Sequence, residues 1–410
     1  MPFPRFRVSM PLSEIPRFLG PVTPGAVGEF ARAFRKFGGF GPVFPTDSGR
    51  SAFKMILAAL EPEPGAEIVF PAYTFHPMPV LAAECGLVPV FADVEPGTWN
   101  LSPESFAAAV TSRTRAVVPT HLFGVPARMD EIAAAARARG IAVVEDCAHA
   151  LGADYHGRPA GNSGDAAVFT FAPSKNLPCW GGGMIAANNP ELAARLEVLT
   201  AATSAPPRSA LVRRHFGNMA AMLATHPLLY GWTLYPITRA AARSGRDPFE
   251  TKFIEEAIPP RPPTVRPPGP ERSFRGRGLS PVQAAAGLRQ LRRFPRWLEI
   301  QRAHARFLRH RLENLALLQF QQEPPGASSS FLYLRVRVED PGEVRRRLLL
   351  GGVDTKADDM RDCSSLPFFH AASCPVAARL GGHCIELPCS PLYSAQDIEN
   401  IARRIIRSLR

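Results

Sequence analysis

Between Thr46 and Ala187, six short apolar runs recur, each the length of one strand and each separated from the next by a longer stretch. They are Glu67–Phe70, Val88–Val94, Thr114–Pro119, Ile141–Asp146, Ala166–Phe171 and Met184–Ala187. Their apolar character is nearly continuous, the pattern of strands covered on both faces. Helical patterns fit between them at Ser51–Leu60, Pro103–Val110 and Met129–Arg139, the last with Ile132 and several alanines on its apolar side. Gly140, directly after Arg139, suits a helix C-cap before the next strand. Strand and helix in alternation predict an α/β fold with a mostly parallel sheet. At 410 residues the chain has room for two or three domains.

The second half changes character. Ala205–Ser280 carries 12 basic residues against 5 acidic ones, and Pro259–Pro270 has seven prolines in twelve positions. Such a run favours an extended connector. Beyond it, Leu279–Leu315 has a long helical pattern, Ser329–Val338 reads as a strand, and Pro341–Leu350 and Ser394–Leu409 read as helices. The expected division is a large α/β domain over 1–204, a basic insertion over 205–278, and a connecting helix with a small α+β domain over 279–410. No internal repeat is apparent. An apolar content of 46% and a charged content of 20% fit a folded enzyme. Seven cysteines, an odd number without a CxxC, indicate neither a zinc site nor a disulfide framework. Met1–Gly20 lacks the apolar core of a secretory signal, so a reducing, cytoplasmic setting is expected. The net charge of +12 suits an anionic ligand or surface, but no nucleic-acid reading module accompanies it.

Asp146 and Lys175 point to a chemistry. Asp146 ends one apolar run; Lys175 follows another and precedes three glycines, Gly181–Gly183. Only five of the 48 basic residues are lysines. A carboxylate and a lysine so placed are what pyridoxal phosphate (PLP) requires. The amine holds the aldehyde as a Schiff base, and the carboxylate keeps the pyridine nitrogen protonated. A carboxylate at the C-terminal end of a parallel strand faces the crevice where such sheets bind ligands. Singly, each further candidate has an ordinary reading. Asp47-Ser48-Gly49-Arg50-Ser51 is a phosphate cradle at a helix start or a plain cap. Phe75 is a stacking platform or core filling, Thr170 a phosphate ligand or a strand residue, and His149 a donor to the cofactor or a buried histidine.

Together these motifs resemble the DegT/DnrJ-type sugar aminotransferases, PLP enzymes of the aspartate aminotransferase fold (fold type I). The resemblance rests on Ser-Gly-Arg-Ser-Ala-Phe (48–53), Pro-Ala-Tyr-Thr-Phe (71–75), Pro-Val-Phe-Ala-Asp-Val (89–94) and His-Leu-Phe-Gly (121–124). Glu-Asp-Cys-Ala-His-Ala-Leu-Gly-Ala (145–153), Ser-Lys-Asn (174–176), Cys-Pro-Val-Ala (374–377) and Glu-Leu-Pro-Cys-Ser-Pro-Leu-Tyr (386–393) complete it. It implies that Lys175 carries the Schiff base, Asp146 meets the pyridine nitrogen and His149 the ring hydroxyl. Phe75 and Ala148 would cover the two ring faces, with Ser48, Gly49, Arg50 and Thr170 at the phosphate. It also implies a homodimer with shared active sites, an amino-acid donor (glutamate) and a nucleotide-linked keto-sugar acceptor. The chain departs from the family twice. Arg275-Gly276-Arg277-Gly278 stands where the family has an Asn-aromatic-Arg stretch reaching the neighbouring subunit's phosphate, and a long basic insertion precedes it.

Within that insertion, the 24 residues from His215 to Thr238 contain no Asp, Glu, Lys or Arg, and arginines flank them. Prolines and histidines interrupt the stretch. It reads either as a flap on the partner subunit or active site, or as a segment meeting an anionic membrane surface. The second reading raises a lipid or lipid-linked substrate as an alternative. A PLP-binding dehydratase, in which histidine replaces the lysine, and a non-catalytic homologue are the other rivals; Lys175 and Asp146 argue against both.

Overall fold

The computed structural model describes residues 1–18, 20, 24–244 and 277–410. The proline-rich Pro259–Pro270 and Arg275 lie outside them.

A seven-stranded sheet forms the centre. Its strands in chain order are β1 (Val43–Thr46), β2 (Glu67–Pro71), β3 (Val88–Ala92), β4 (Thr114–Val117), β5 (Ala142–Asp146), β6 (Ala166–Thr170) and β7 (Gly183–Ala187). Across the sheet the order is β1-β7-β6-β5-β4-β2-β3. The β6-β5-β4-β2-β3 pairings are parallel, and β7 runs antiparallel to both of its neighbours. Successive side chains go to opposite cores. In β6, Ala166 and Val168 face one cluster while Ala167 and Phe169 face the other, and Met184 and Ile185 in β7 divide in the same way.

Helix α1 (Ala26–Gly38) covers one face with the long helix α2 (Pro281–Leu312), through Phe30, Phe34, Leu291, Phe294 and Leu298. A capping box between Ser280 and Gln283 starts α2, with Pro281 at its first position, where no N–H is needed. The helices Gly49–Leu60, Pro77–Glu84 and Pro190–Ala201 line the other face. Beyond α2 lies an antiparallel four-stranded sheet built from Gln319–Phe320, Leu334–Arg337, Cys384–Leu387 and Lys356–Ala357. Pro341–Leu350 and Ala395–Leu409 pack on it.

One expectation needs correction. The strand foreseen over Ser329–Val338 is broken. Only Leu334–Arg337 joins the sheet, because the preceding residues turn toward the loop 121–124, with Ser330 N–H donating to Gly124 O at 2.9 Å. At the N-terminus, Phe3 belongs to the C-terminal core and Arg5 is paired with Asp354 at 3.0 Å. The apolar stretch of the insertion is helical, over Arg208–Ala224, Pro227–Trp232 and Leu234–Arg243. Among the described residues no helix is long and apolar enough to cross a membrane.

Candidate active site

The parallel strands end at a cavity of about 440 Å³. Ser48, Gly49, Arg50, Phe75, Asp146, Ala148, His149, Thr170 and Lys175 all line it. They are brought there by strand ends, by the loops that follow them and by the start of a helix.

Helix Gly49–Leu60 begins at Ser48, whose Oγ accepts the Ser51 amide at 3.2 Å. The first i to i−4 bond is made by Ala52 N–H to Ser48 O, so the Gly49 and Arg50 amides precede the helical ladder. A Cβ on Gly49 would lie 3.0 Å from Thr170 Cβ, so glycine is what lets the loop lie against the end of β6. Gly182 has a φ of +112°, and a Cβ there would sit 2.4 Å from Leu279 Cδ1. The result is a concave, amide-rich end suited to a phosphate.

Asp146 ends β5 and is buried. Among the described residues its carboxylate accepts one hydrogen bond, from Ala148 N–H at 3.0 Å. Burial pushes its pKa up, against that hydrogen bond and the nearby charge of Lys175. A buried carboxylate so sparsely bonded calls for a cationic N–H partner.

His149 Nδ1 accepts Phe123 N–H at 3.1 Å, which fixes the tautomer: the proton of the neutral ring is on Nε2. Burial first, and Lys175 second, hold its pKa well below the usual histidine value. It is therefore a neutral donor. Phe123 takes a left-handed φ of 59° to present that amide, a strained conformation for a bulky side chain.

Lys175 lies in the loop between β6 and β7. Tyr333 Oη–H donates to Ser174 O at 2.7 Å, and Asn176 Nδ2 donates to Ser330 Oγ at 3.2 Å, pinning the residues on either side. Burial lowers the Lys175 pKa to about 8, with Asp359 opposing and Lys356 assisting.

The wall toward the small sheet went unforeseen. Arg335, fully buried, is within 3.3 Å of Asp358, 2.8 Å of Asp359 and 3.4 Å of Glu386. Lys356 Nζ lies 2.8 Å from Asp359, and Tyr73 Oη donates to Asp358 at 2.5 Å. Burial disfavours ionised Asp359, but Lys356 and Arg335 outweigh it and hold the pKa well below the carboxylate range. Asp359, Met360 and Arg214 also line the cavity. The Asp358-Asp359 pair beside a short strand was the available signal for this wall, and Arg214 had none. Arg277 is near as backbone, its carbonyl accepting Asp47 N–H at 2.9 Å.

His121, Glu145 and Cys147 also cluster beneath the site. Glu145 already accepts the Gly161, Ser163 and Gly164 amides and His121 Nε2–H, and His121 Nδ1 accepts Ala127 N–H. The group braces β5 and needs no ion.

The sequence profile of the DegT/DnrJ/EryC1/StrS aminotransferase family matches residues 23–227 and 274–406. The chain belongs to this family. Among curated relatives, the "Pleiotropic regulatory protein" of Geobacillus stearothermophilus is 37% identical over 217 residues, 52% of this chain and 56% of that protein. The UDP-N-acetyl-3-dehydro-alpha-D-glucosamine 3-aminotransferase of Acidithiobacillus ferrooxidans is 41% identical over 153 residues, 37% of this chain and 42% of that enzyme. The chain thus spans about half the length of these curated relatives, or less. The aminotransferase TlmJ from Streptoalloteichus hindustanus superposes with a TM-score of 0.74 at 25% identity, over 99% of this chain and 98% of that one. DegT/DnrJ/EryC1/StrS aminotransferases are fold type I proteins that use PLP. The cavity fits that cofactor: a half-buried amine with a lowered pKa, a buried carboxylate that among the described residues accepts one hydrogen bond, and a cradle that a Cβ on Gly49 would crowd.

Proposed function

We propose that the protein moves an amino group from an amino acid, glutamate in the first instance, to a keto sugar carried on a nucleoside diphosphate. The observation that carries this reading is the opening of Lys175, with its pKa near 8, and Asp146 onto one cavity beside a helix start. The UDP-sugar aminotransferase among the relatives supports a nucleotide-linked acceptor. PLP, when bound, supplies an electron sink that makes the donor's α-proton acidic.

The chain's residues supply the rest. Lys175 Nζ anchors the cofactor covalently and, once released, is the base that carries the α-proton. The Asp146 carboxylate would hold the proton on the pyridine nitrogen. His149 Nε2–H is the donor to the ring hydroxyl. Phe75 and Ala148 would cover the ring faces, and Ser48, Gly49, Arg50 and Thr170 would receive the phosphate. The family resemblance supports a homodimer, a cytoplasmic setting and division into a large domain, an insertion and a small domain.

Two outcomes are expected. Asp146→Asn keeps the side chain's shape but removes its charge, and kcat should fall about 10²–10³-fold, the cost of losing one preorganised electrostatic partner. Steady-state kinetics with any accepted donor will measure it. Loading of apo-protein should depend on pH through the neutral amine of Lys175. Below about 8 the ammonium form predominates and cannot attack the aldehyde, so the rate should fall about tenfold per pH unit; above it the rate should level off. Stopped-flow absorbance reads this directly. The function itself is tested with ¹⁵N-glutamate and a panel of nucleotide-linked keto sugars. If the label reaches none of them while the cofactor is bound, the acceptor class is wrong.

A further inference from the structure

We infer that the helical insertion, Arg208–Arg243, docks on an anionic lipid bilayer. Fourteen large apolar side chains are exposed among the described residues, and eight of them lie between Val212 and Ile237. That density departs from the scattered apolar exposure of ordinary surfaces. Trp232 is 86% exposed and Ile237 67%, with Phe216, Leu228 and Leu229 also open to solvent.

The helices are nevertheless well anchored. Met222, Tyr230, Thr238 and Ala242 are buried on the inner side, Tyr230 Oη donates to Asp354 at 2.9 Å, and Leu234–Arg243 packs on Pro341–Leu350. The apolar outer side therefore belongs to a fixed scaffold.

Charge selects the occupant. From Val198 to Arg246 the sequence has no Asp or Glu, while arginines stand at 208, 213, 214, 239, 243 and 246. Arg213 and Arg243 are exposed. A second copy seated with the same stretch facing its own counterpart would bring arginines against arginines, since residues 198–246 carry no acid. An anionic bilayer neutralises them and accepts the apolar side chains between. Since no described helix can span a membrane, the insertion lies in the interface, where tryptophan is favoured.

The test is flotation of full-length holoenzyme with phosphatidylcholine vesicles, with and without 30 mol% phosphatidylglycerol as an order-of-magnitude anionic load. Binding is expected to the anionic vesicles, weakened by salt, with a blue shift in fluorescence that Trp232→Phe abolishes. Leu228→Ser/Trp232→Ser/Ile237→Ser should weaken partitioning at least about tenfold, and Arg213→Gln or Arg243→Gln about fivefold each. Cofactor absorbance and amino transfer in solution should be unchanged, which certifies folding and separates this inference from the proposed reaction. It is overturned if the wild type floats with neither vesicle, or if the triple variant binds as well as the wild type. A fall in oligomeric mass of the triple variant by light scattering would overturn it too, by showing that a second copy occupies the face.

Discussion

Lys175→Ala is expected to lower kcat/KM by at least about 10³-fold, about 4 kcal/mol of transition-state stabilisation. The side chain has two roles that cannot be filled from elsewhere in the cavity. In the proposed reaction it would be both the covalent anchor of the cofactor and the base that carries the α-proton. Lys356 is the nearest other lysine on that wall, but its amine is committed to Asp359 at 2.8 Å and its pKa is raised. Lys175→Arg should be no better, because a guanidinium stays protonated and does not form the imine. The alanine variant should fold, since it replaces a half-buried amine whose charged form desolvation already disfavours. Methylamine at millimolar concentration should recover part of the proton transfer. Retention of more than about one-hundredth of wild-type activity would contradict both assigned roles.

Arg335→Met is expected to destabilise the fold by about 3–5 kcal/mol, because removing one member of a buried ion cluster leaves the others uncompensated. Three carboxylates, Asp358, Asp359 and Glu386, converge on this guanidinium, which also lies 4.6 Å from the Phe123 ring centroid. Methionine approximates the stem's volume but returns none of the charge. At about 2.1 cal/mol/K per residue of unfolding entropy, the melting temperature should drop by roughly 3–6 °C. The effect should extend to the cofactor. Asp359 is a charge partner of both Lys356 and Lys175, so loosening it disturbs the wall beside the reacting amine. Calorimetry on apo and holo forms would measure the first effect and loading kinetics the second. An unchanged melting temperature would mean that the cluster is not held together by Arg335.

The sheet was legible because its strands are buried on both faces, so Ile141–Asp146 and Ala166–Phe171 read as unbroken apolar runs close to the observed β5 and β6. The direction of β7 was not. Its side chains, Met184 and Ile185, go to opposite cores whichever way the strand runs. Helix α1 escaped notice because it precedes the alternating region, although Phe30 and Phe34 sit four residues apart on one face. The residues grouped around Asp146 and Lys175 follow strand ends, and strand ends converge in a parallel sheet; local pattern marked them as candidates, each with an ordinary reading, and the family resemblance joined them into one site. The wall of Arg335, Lys356 and Asp359 comes from a separate sheet. Its pairing with the cavity depends on how the two layers meet, which no local spacing encodes. The tautomer of His149 likewise depends on an amide 26 residues away.

The direct measurement is borohydride reduction of PLP-loaded protein followed by proteolysis and mass spectrometry of the pyridoxyl-bearing peptide. The tag is expected on Lys175 alone, at one per chain. A tag on Lys356 or on any other lysine, or protein that takes up no cofactor, would contradict the site as assigned.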